Sequence, residues 1–176
     1  MNLSLKSIAA FSALSAIAIA PLLSAGSASA QPRKGFSDSY VGAGVAAGVT
    51  NGGQNNDAAT FGGTIDGRFA LRKAPVSLRG SVIYSDDTSA IIPMITYDKG
   101  ITKNTQVYGG VGYSFVEANG QPTPVGNDDA VILTAGVESK VTKDVVLYGN
   151  TKWGINAYQN GPADSLSFQA GAGLRF

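Results

Sequence analysis

The sequence predicts an all-β fold: an eight-stranded antiparallel transmembrane β-barrel with short periplasmic turns and longer extracellular loops. Three observations predict it. Apolar residues alternate with small or polar residues along successive segments, the connections between segments alternate between short and long, and the two kinds of connection carry charges of opposite sign. A period of two is typical of strands, and unequal connections at the two ends are typical of barrels that cross a membrane.

The last twelve residues show the alternation most clearly. One face of this segment is apolar and comprises Leu166, Phe168, Ala170, Ala172, Leu174 and Phe176. The other face is small or polar and comprises Ser165, Ser167, Gln169, Gly171, Gly173 and Arg175. One lipid-compatible face, one polar face and a terminal aromatic residue are typical of the closing strand of a bacterial outer-membrane barrel.

Eight segments follow this pattern, with turn chemistry between them. We place the strands at residues 39–49, 60–71, 76–84, 90–98, 105–116, 130–141, 145–158 and 165–176. The fourth is the weakest prediction, because Ile92 and Met94 fall on the parity that is otherwise polar and Pro93 interrupts the segment.

The predicted connections fall into two sets. The short ones span 72–75, 99–104 and 142–144, and the longer ones span 50–59, 85–89, 117–129 and 159–164. The longer set contains no Lys or Arg and carries Asp57, Asp86, Asp87, Glu117, Asp128, Asp129 and Asp164. The short set and the N-terminal lead carry Arg33, Lys34, Arg72, Lys73, Lys99, Lys103 and Lys143 against only Asp38 and Asp144. This segregation of charge is independent of connection length and predicts the same two ends.

Residues 1–30 have the pattern of a cleaved signal peptide. Lys6 supplies the positive charge, a short apolar run follows, and Ala28-Ser29-Ala30 forms the cleavage site. We therefore expect residues 31–38 to be a periplasmic lead and residues 39–176 to form the barrel. No segment after Ala30 predicts a transmembrane helix, so membrane insertion must be through β-strands. The signal peptide and the strand pattern together predict a protein that is integral to the cell outer membrane.

Composition excludes several kinds of chemistry. The chain has no Cys and no His, which excludes thiol catalysis, Ser-His-Asp catalysis and the usual zinc sites. We predict no catalytic residue, no metal site, no cofactor and no enzymatic activity. Acidic and basic residues nearly balance, and no basic patch indicates a nucleic-acid partner.

With the apolar parity facing lipid, eight charged side chains point into the barrel: Asp66, Arg68, Arg79, Asp98, Glu138, Lys140, Lys152 and Arg175. Hairpin register places Glu138 opposite Tyr148 and Asp98 opposite Tyr108, which predicts two stacked carboxylate–tyrosine pairs. The same register places Arg68 opposite Arg79, a like-charge pair that is unfavourable unless Asp66 or Asp98 bridges it. We interpret this network as a plug that fills the lumen, and Ala at Glu138 and Asp98 is expected to raise conductance. The alternative is a narrow, selective pore.

An internal repeat accompanies the strand pattern. Ile101-Thr-Lys-Asn104 followed by Tyr108-Gly109 matches Val141-Thr-Lys-Asp144 followed by Tyr148-Gly149. With the signal peptide, the strand pattern and the terminal Leu174-Arg175-Phe176, the chain resembles the small eight-stranded outer-membrane barrels of the OmpA/OmpX/opacity-like superfamily. The resemblance implies that the barrel assembly machinery recognises Leu174 and Phe176 as a C-terminal signal.

The function expected from these observations is structural or surface-interacting. We expect a monomeric barrel that contacts outer-membrane lipid and lipopolysaccharide and displays short acidic loops, of which Glu117–Asp129 is the longest. The alternative is a narrow porin-like channel for ions or small solutes. A water-soluble barrel or sandwich is the competing fold, but its apolar parity would form the interior and its outside would carry the charge.

Overall fold

The computed structural model describes residues 35–50, 60–71, 73–86, 88–159 and 161–176. The predicted signal peptide, the start of the lead and most of the first long connection lie outside the described residues. Among the described residues, no helix is long and apolar enough to cross a membrane.

All eight predicted strands are present in a closed antiparallel barrel in which β1 pairs with β8. Their bounds are β1 Tyr40–Gly48, β2 Phe61–Ala70, β3 Val76–Tyr84, β4 Ser89–Gly100, β5 Thr105–Val116, β6 Ala130–Lys140, β7 Val145–Ile155 and β8 Ser165–Arg175. The closure at β1–β8 is continued beyond the strands by Phe176, whose N–H donates to the carbonyl of Ser39 at 3.0 Å.

The outside of the barrel is apolar on every strand, as the alternation predicts. Val41, Ile65 and Leu133, for example, all point outward and remain exposed. A protein in water rarely leaves such a continuous apolar surface uncovered. In a bilayer the same surface contacts acyl chains, and the closed sheet pairs its backbone groups internally. The fold is therefore that of a transmembrane β-barrel.

The two ends of the barrel differ in their connections. The end formed by residues 71–75, 101–104 and 141–144, together with residues 35–39, is here named the turn end. The end formed by the connections 49–60, 85–88, 117–129 and 156–164 is named the loop end. The predicted alternation of short and longer connections is present in the fold, except that the connection 85–88 is no longer than the turns.

The internal repeat corresponds to two turns of the same design. In one, Thr102 Oγ1 accepts from the N–H groups of Asn104 and Thr105 at 3.2 and 3.0 Å. In the other, Thr142 Oγ1 accepts from the N–H groups of Asp144 and Val145 at 3.3 and 3.0 Å. A threonine hydroxyl that satisfies two turn amides stabilises a tight connection.

The interior of the barrel is not polar throughout, and here the sequence-based expectation was wrong. The half of the lumen nearest the loop end is filled by an apolar cluster of Ala46, Ile83, Ala90, Ile92, Met94, Val116, Val125 and Ile132. Ile92 and Met94 therefore occupy an apolar environment inside the barrel. The apolar residues on the inward parity of β4 therefore reflect a lumen that changes from polar to apolar along the barrel axis.

The longest loop also differs from expectation. Residues 117–129 were expected to project as a polar outer loop, but Thr123–Asn127 are buried and Val125 joins the apolar cluster. The N–H of Asn127 donates to the carbonyl of Ala157 at 2.9 Å, and Ser165 Oγ donates to the carbonyl of Val125 at 2.6 Å. This loop closes the loop end from within.

Candidate functional site

The centre of the predicted lumen network is a square of two arginines and two carboxylates. Arg68 and Arg79 face each other across the β2–β3 pair. Asp98 bridges them, with oxygens 3.0 Å from Arg68 Nη2 and 3.1 Å from Arg79 Nη2. Glu138 bridges them a second time, at 3.2 Å from Arg68 Nη1 and 2.9 Å from Arg79 Nη1. The like-charge pair thus has two bridging acids instead of the expected single carboxylate.

Because the four charges are buried, the stability of this square depends on all four side chains being present. The Glu138 side chain is fully enclosed, and the other three are less than a tenth exposed. A buried charge without a partner costs several kcal/mol, on the order of the loss seen when one member of a buried ion pair is removed. The four side chains therefore stabilise the barrel only together.

Hydrogen bonds from β1 and β5 complete the coordination of Glu138. Tyr40 Oη donates to Glu138 Oε2 at 2.9 Å, and Gln106 Nε2 donates to Glu138 Oε1 at 2.5 Å. The remaining arginine donors are also used, since Arg68 Nε donates to Ser77 and Arg79 Nε donates to Thr96, both at 3.0 Å. Sequence reasoning missed these polar partners, although each lies on the inward parity of its strand.

The strand register agrees with the prediction for both carboxylate–tyrosine pairs, but the side-chain contacts differ. Glu138 lies opposite Tyr148, and Asp98 lies opposite Tyr108. The Tyr148 hydroxyl, however, donates to Asp66 Oδ2 at 3.1 Å. The ring of Tyr108 lies beneath the Arg79 guanidinium, 3.6 Å from its carbon to the ring centroid.

Glycines explain why the tyrosines turn away from their opposed carboxylates. Tyr148 pairs on its other side with Gly171, and Tyr108 pairs on its other side with Gly136. A Cβ at either glycine would overlap the tyrosine ring or hydroxyl. Each ring therefore leans over the backbone of the strand that has no side chain at that position.

A second polar cluster lies nearer the middle of the barrel around Lys152, which is 1% exposed. Its Nζ donates to Asn150 Oδ1 at 2.9 Å and to Gln169 Oε1, and it lies 3.9 Å from Asp66 Oδ1. Asp66 also accepts from Ser81 Oγ at 2.7 Å. The three buried acids of the lumen therefore face three buried bases, and the two clusters together are neutral.

Lys140 and Arg175 do not join either buried cluster. Both lie at the turn end and pair with Asp38, whose Oδ2 is 2.7 Å from Arg175 Nη2 and 3.8 Å from Lys140 Nζ. The prediction that they belong to the lumen network is corrected: they belong to the mouth of the barrel. Both residues are on the inward parity of their strands. They are, however, the last residues of β6 and β8 and so lie at the edge of the barrel.

The described part of the lead seals this mouth. Phe36 is buried, and its N–H donates to Gln106 Oε1 at 3.0 Å. Arg68 Nη1 and Nη2 donate to the carbonyls of Asp38 and Phe36 at 3.0 and 3.3 Å. Lys140 Nζ lies 5.3 Å from the centroid of the Phe36 ring. The sequence signal for this contact is Phe36 itself, the single aromatic residue in an otherwise polar lead.

The space between the two polar clusters is small. A cavity of about 10 Å³ lies between the two polar clusters, lined by residues that include Asp66, Arg79, Tyr148 and Lys152. That volume accommodates roughly one water molecule. The lumen is therefore occupied by the lead, the polar clusters and the apolar cluster, in that order from the turn end to the loop end.

The acidic side chains of the loop end serve largely as internal hydrogen-bond acceptors. Asp129 Oδ1 accepts from the N–H of Val116 at 2.8 Å. Asp164 accepts from Trp153 Nε1 and from the N–H of Asn156, both at 3.0 Å. Within the part of the chain that the structure describes, no three acidic side chains converge as a metal site would require.

The fold is similar to that of several solved membrane barrels. Neisserial surface protein A (NspA) is 16% identical, with 78% of this chain and 97% of that chain covered and a TM-score of 0.54. A de novo designed transmembrane β-barrel is 12% identical, with coverage of 78% and 95% and a TM-score of 0.54. Ail, the attachment invasion locus protein of Yersinia pestis, solved with the heparin analogue sucrose octasulfate, is 15% identical, with coverage of 79% and 98% and a TM-score of 0.52.

No family model matches the sequence, and no curated protein matches it. The identities to the solved structures are low, so these similarities concern the fold. The resemblance expected from the sequence is confirmed at that level: this chain has the fold of the small eight-stranded outer-membrane β-barrels.

Proposed function

We propose that this protein is an integral outer-membrane protein with a structural or surface-interacting role and a lumen that does not conduct. The observation that carries the proposal is the filled interior, in which neutral ion-pair clusters lie in series with an apolar cluster. Charges that are fully paired leave no free site for a permeating ion, and an apolar constriction resists hydration. An apolar outer surface anchors the barrel in lipid.

The chemistry of the loop end limits which surface ligands fit. Ail was solved with a sulfated sugar, whereas the longer connections of this chain contain acids and no Lys or Arg. A polyanionic ligand would be repelled there, because it would meet only negative side chains. A charged partner that uses these loops is therefore expected to be cationic or to bridge through cations, as lipopolysaccharide phosphates do with divalent ions.

The C-terminal strand supports the proposed use of a barrel assembly machinery. Leu174 and Phe176 are 64% and 79% exposed on the outside of the barrel. Both side chains are therefore accessible to a partner at the β1–β8 closure. We retain the other expectations as proposals: a monomer in contact with lipid, no nucleic-acid partner, and no enzymatic activity in a chain that lacks His and Cys.

The alternative function is a narrow channel, and one observation favours it. The loop end is closed by loop 117–129, which inserts Val125, and a loop can withdraw in a way that a strand cannot. Withdrawal alone would leave Ile83, Ile92 and Ile132 in place, and the ion pairs behind them. For this reason the closed barrel is the better-supported function.

Single-channel recording from refolded protein in planar bilayers tests the proposal. We expect no discrete conductance steps from the wild type, with heat-modifiable gel mobility verifying that the barrel is folded. The sequence alone predicts that Glu138→Ala raises conductance, but the structure changes this expectation. We expect Glu138→Ala to remain silent, because the apolar cluster lies between Glu138 and the loop end. Discrete steps from the folded wild type would contradict the closed lumen and favour the channel.

A further inference from the structure

A cavity with a basic lining is present at the turn end, outside the closed lumen. Its volume is about 410 Å³, and it is lined by Asn104, Lys140, Val141, Thr142, Lys143 and Arg175. It lies between the two equivalent turns and the last strand, outside the polar clusters of the lumen. Three of its six lining residues are basic, and none is acidic.

The walls of this cavity are held by hydrogen bonds within the protein. The N–H of Lys140 donates to the carbonyl of Asn104 at 2.8 Å and so joins the two turns. Arg175 Nη1 donates to the carbonyl of Thr142 at 3.3 Å and to the carbonyl of Lys143. The guanidinium is therefore fixed against the turn, and the cavity needs little rearrangement to accept a ligand.

The positive charge at the cavity is only partly compensated. Among the described residues, Asp38 is the one acid paired with these bases, at 2.7 Å from Arg175 and 3.8 Å from Lys140. The Lys143 ammonium and the Asn104 side-chain amide form no ion pair or hydrogen bond with the described residues. Both groups are donors, and they are available to an anion.

The cavity adjoins the apolar surface of the barrel. Val141 lines it and is half exposed, and Leu174 and Phe176 extend the exposed apolar surface alongside Arg175. In a ligand with an anionic head and an apolar tail, the head would contact the basic lining and the tail would contact the exposed apolar side chains. Lys and Arg bind phosphate through charge-assisted hydrogen bonds, and basic pockets at a membrane surface bind anionic headgroups.

We propose that the cavity lined by Asn104, Lys140, Lys143 and Arg175 binds a phosphate group, either that of an anionic phospholipid headgroup or a free phosphate. Lys143 and Asn104 supply the unpaired donors, and Arg175 supplies a fixed positive charge beside them. This site is independent of whether the lumen conducts, because it lies outside the buried clusters.

The internal repeat supplies a matched control. Lys103 occupies the position in the first turn that Lys143 occupies in the second, both are exposed, and Lys103 does not line the cavity. A non-specific attraction between a basic surface and an anion would depend equally on both lysines. A site at the cavity would depend on Lys143 alone.

Amide chemical shifts of isotope-labelled protein in a detergent without phosphate, lauryldimethylamine oxide, measure the binding. The probes are short-chain phosphatidylglycerol, inorganic phosphate and sodium chloride at matched ionic strength. We expect saturable shifts in Asn104 and in residues 141–145, with an affinity at least tenfold weaker in Lys143→Ala and unchanged in Lys103→Ala. Saturation by the lipid alone identifies a headgroup site, and equal saturation by inorganic phosphate identifies a free-phosphate site.

Three results would overturn the proposal. These are the absence of saturable shifts with both phosphate probes, equal shifts with sodium chloride, and equal loss of affinity in Lys103→Ala and Lys143→Ala. Because both lysines are exposed in turns, neither substitution is expected to prevent folding, and heat-modifiable mobility verifies this for each variant.

Discussion

At the scale of single residues, Glu138 connects the strands of the lumen through four polar partners. It accepts hydrogen bonds from Tyr40 and Gln106 and forms ion pairs with Arg68 and Arg79. These partners come from four other strands. A carboxylate that satisfies so many donors is difficult to replace, because its removal leaves two guanidiniums with Asp98 alone.

Replacing Glu138 by Gln tests this role. We expect the free energy of unfolding to fall by about 3–5 kcal/mol, the range for removing one partner of a buried ion pair. Urea titration of protein refolded in lipid vesicles measures it. Glu117→Gln, a change of the same chemistry at an exposed position, is expected to change stability by less than about 1 kcal/mol. Equal effects of the two substitutions would show that the buried square is not stabilising.

At the scale of elements, loop 117–129 differs most from its sequence-based description. It has one apolar anchor, Val125, between Pro124 and Gly126, and Gly126 adopts a φ of +114° that favours glycine. Thr123 and Gly126 exchange backbone hydrogen bonds at 3.0 and 3.1 Å, which makes a tight tip. The loop is therefore a small folded unit that is held at the loop end by a few contacts.

Val125→Asp is expected to release this loop, because the new carboxylate would lie unpaired in the apolar cluster. Hydrogen exchange of the Asn127 amide, which donates to Ala157, reports the release. We expect exchange at least about tenfold faster, equivalent to about 1.4 kcal/mol of lost docking free energy. Gln121→Asp, in the exposed part of the same loop, is the control. Unchanged exchange in Val125→Asp would mean that other contacts hold the loop.

The loop and the strands also show what the sequence could and could not predict. Strand positions and the turns at Thr102 and Thr142 follow from local patterns, so they were predictable. A single valine among turn residues has no periodicity, so the docking of Val125 was not. The inward position of Glu138 followed from parity, whereas the contact between Tyr148 and Asp66 depends on a glycine two strands from Glu138.

At the scale of the whole molecule, the outer surface determines where the protein resides. Apolar side chains cover the outside of each strand, while the buried charges lie inside. This arrangement is the reverse of a water-soluble barrel. A charge placed on the outer surface is therefore expected to destabilise a barrel that lies in lipid and to be tolerated by a barrel that lies in water.

Ile65→Lys and Ile101→Lys test whether the strands lie in lipid. The two isoleucines are 47% and 49% exposed, but Ile65 lies in the middle of β2 and Ile101 lies in a turn. In lipid vesicles we expect Ile65→Lys to cost about 2–4 kcal/mol of unfolding free energy and Ile101→Lys about 0–1 kcal/mol. Urea titration measures both. Equal, small effects would contradict a transmembrane position for the strands.

The pairing of Arg68 with Arg79 has a consequence for the order of folding. The β2–β3 hairpin on its own places two guanidiniums side by side, which disfavours it as an early structure. Asp98 arrives with β4 and relieves part of this repulsion, and Glu138 completes the pairing only with β6. A sheet that stops before β6 therefore keeps two arginines with one acid, and we expect the later strands to add cooperatively.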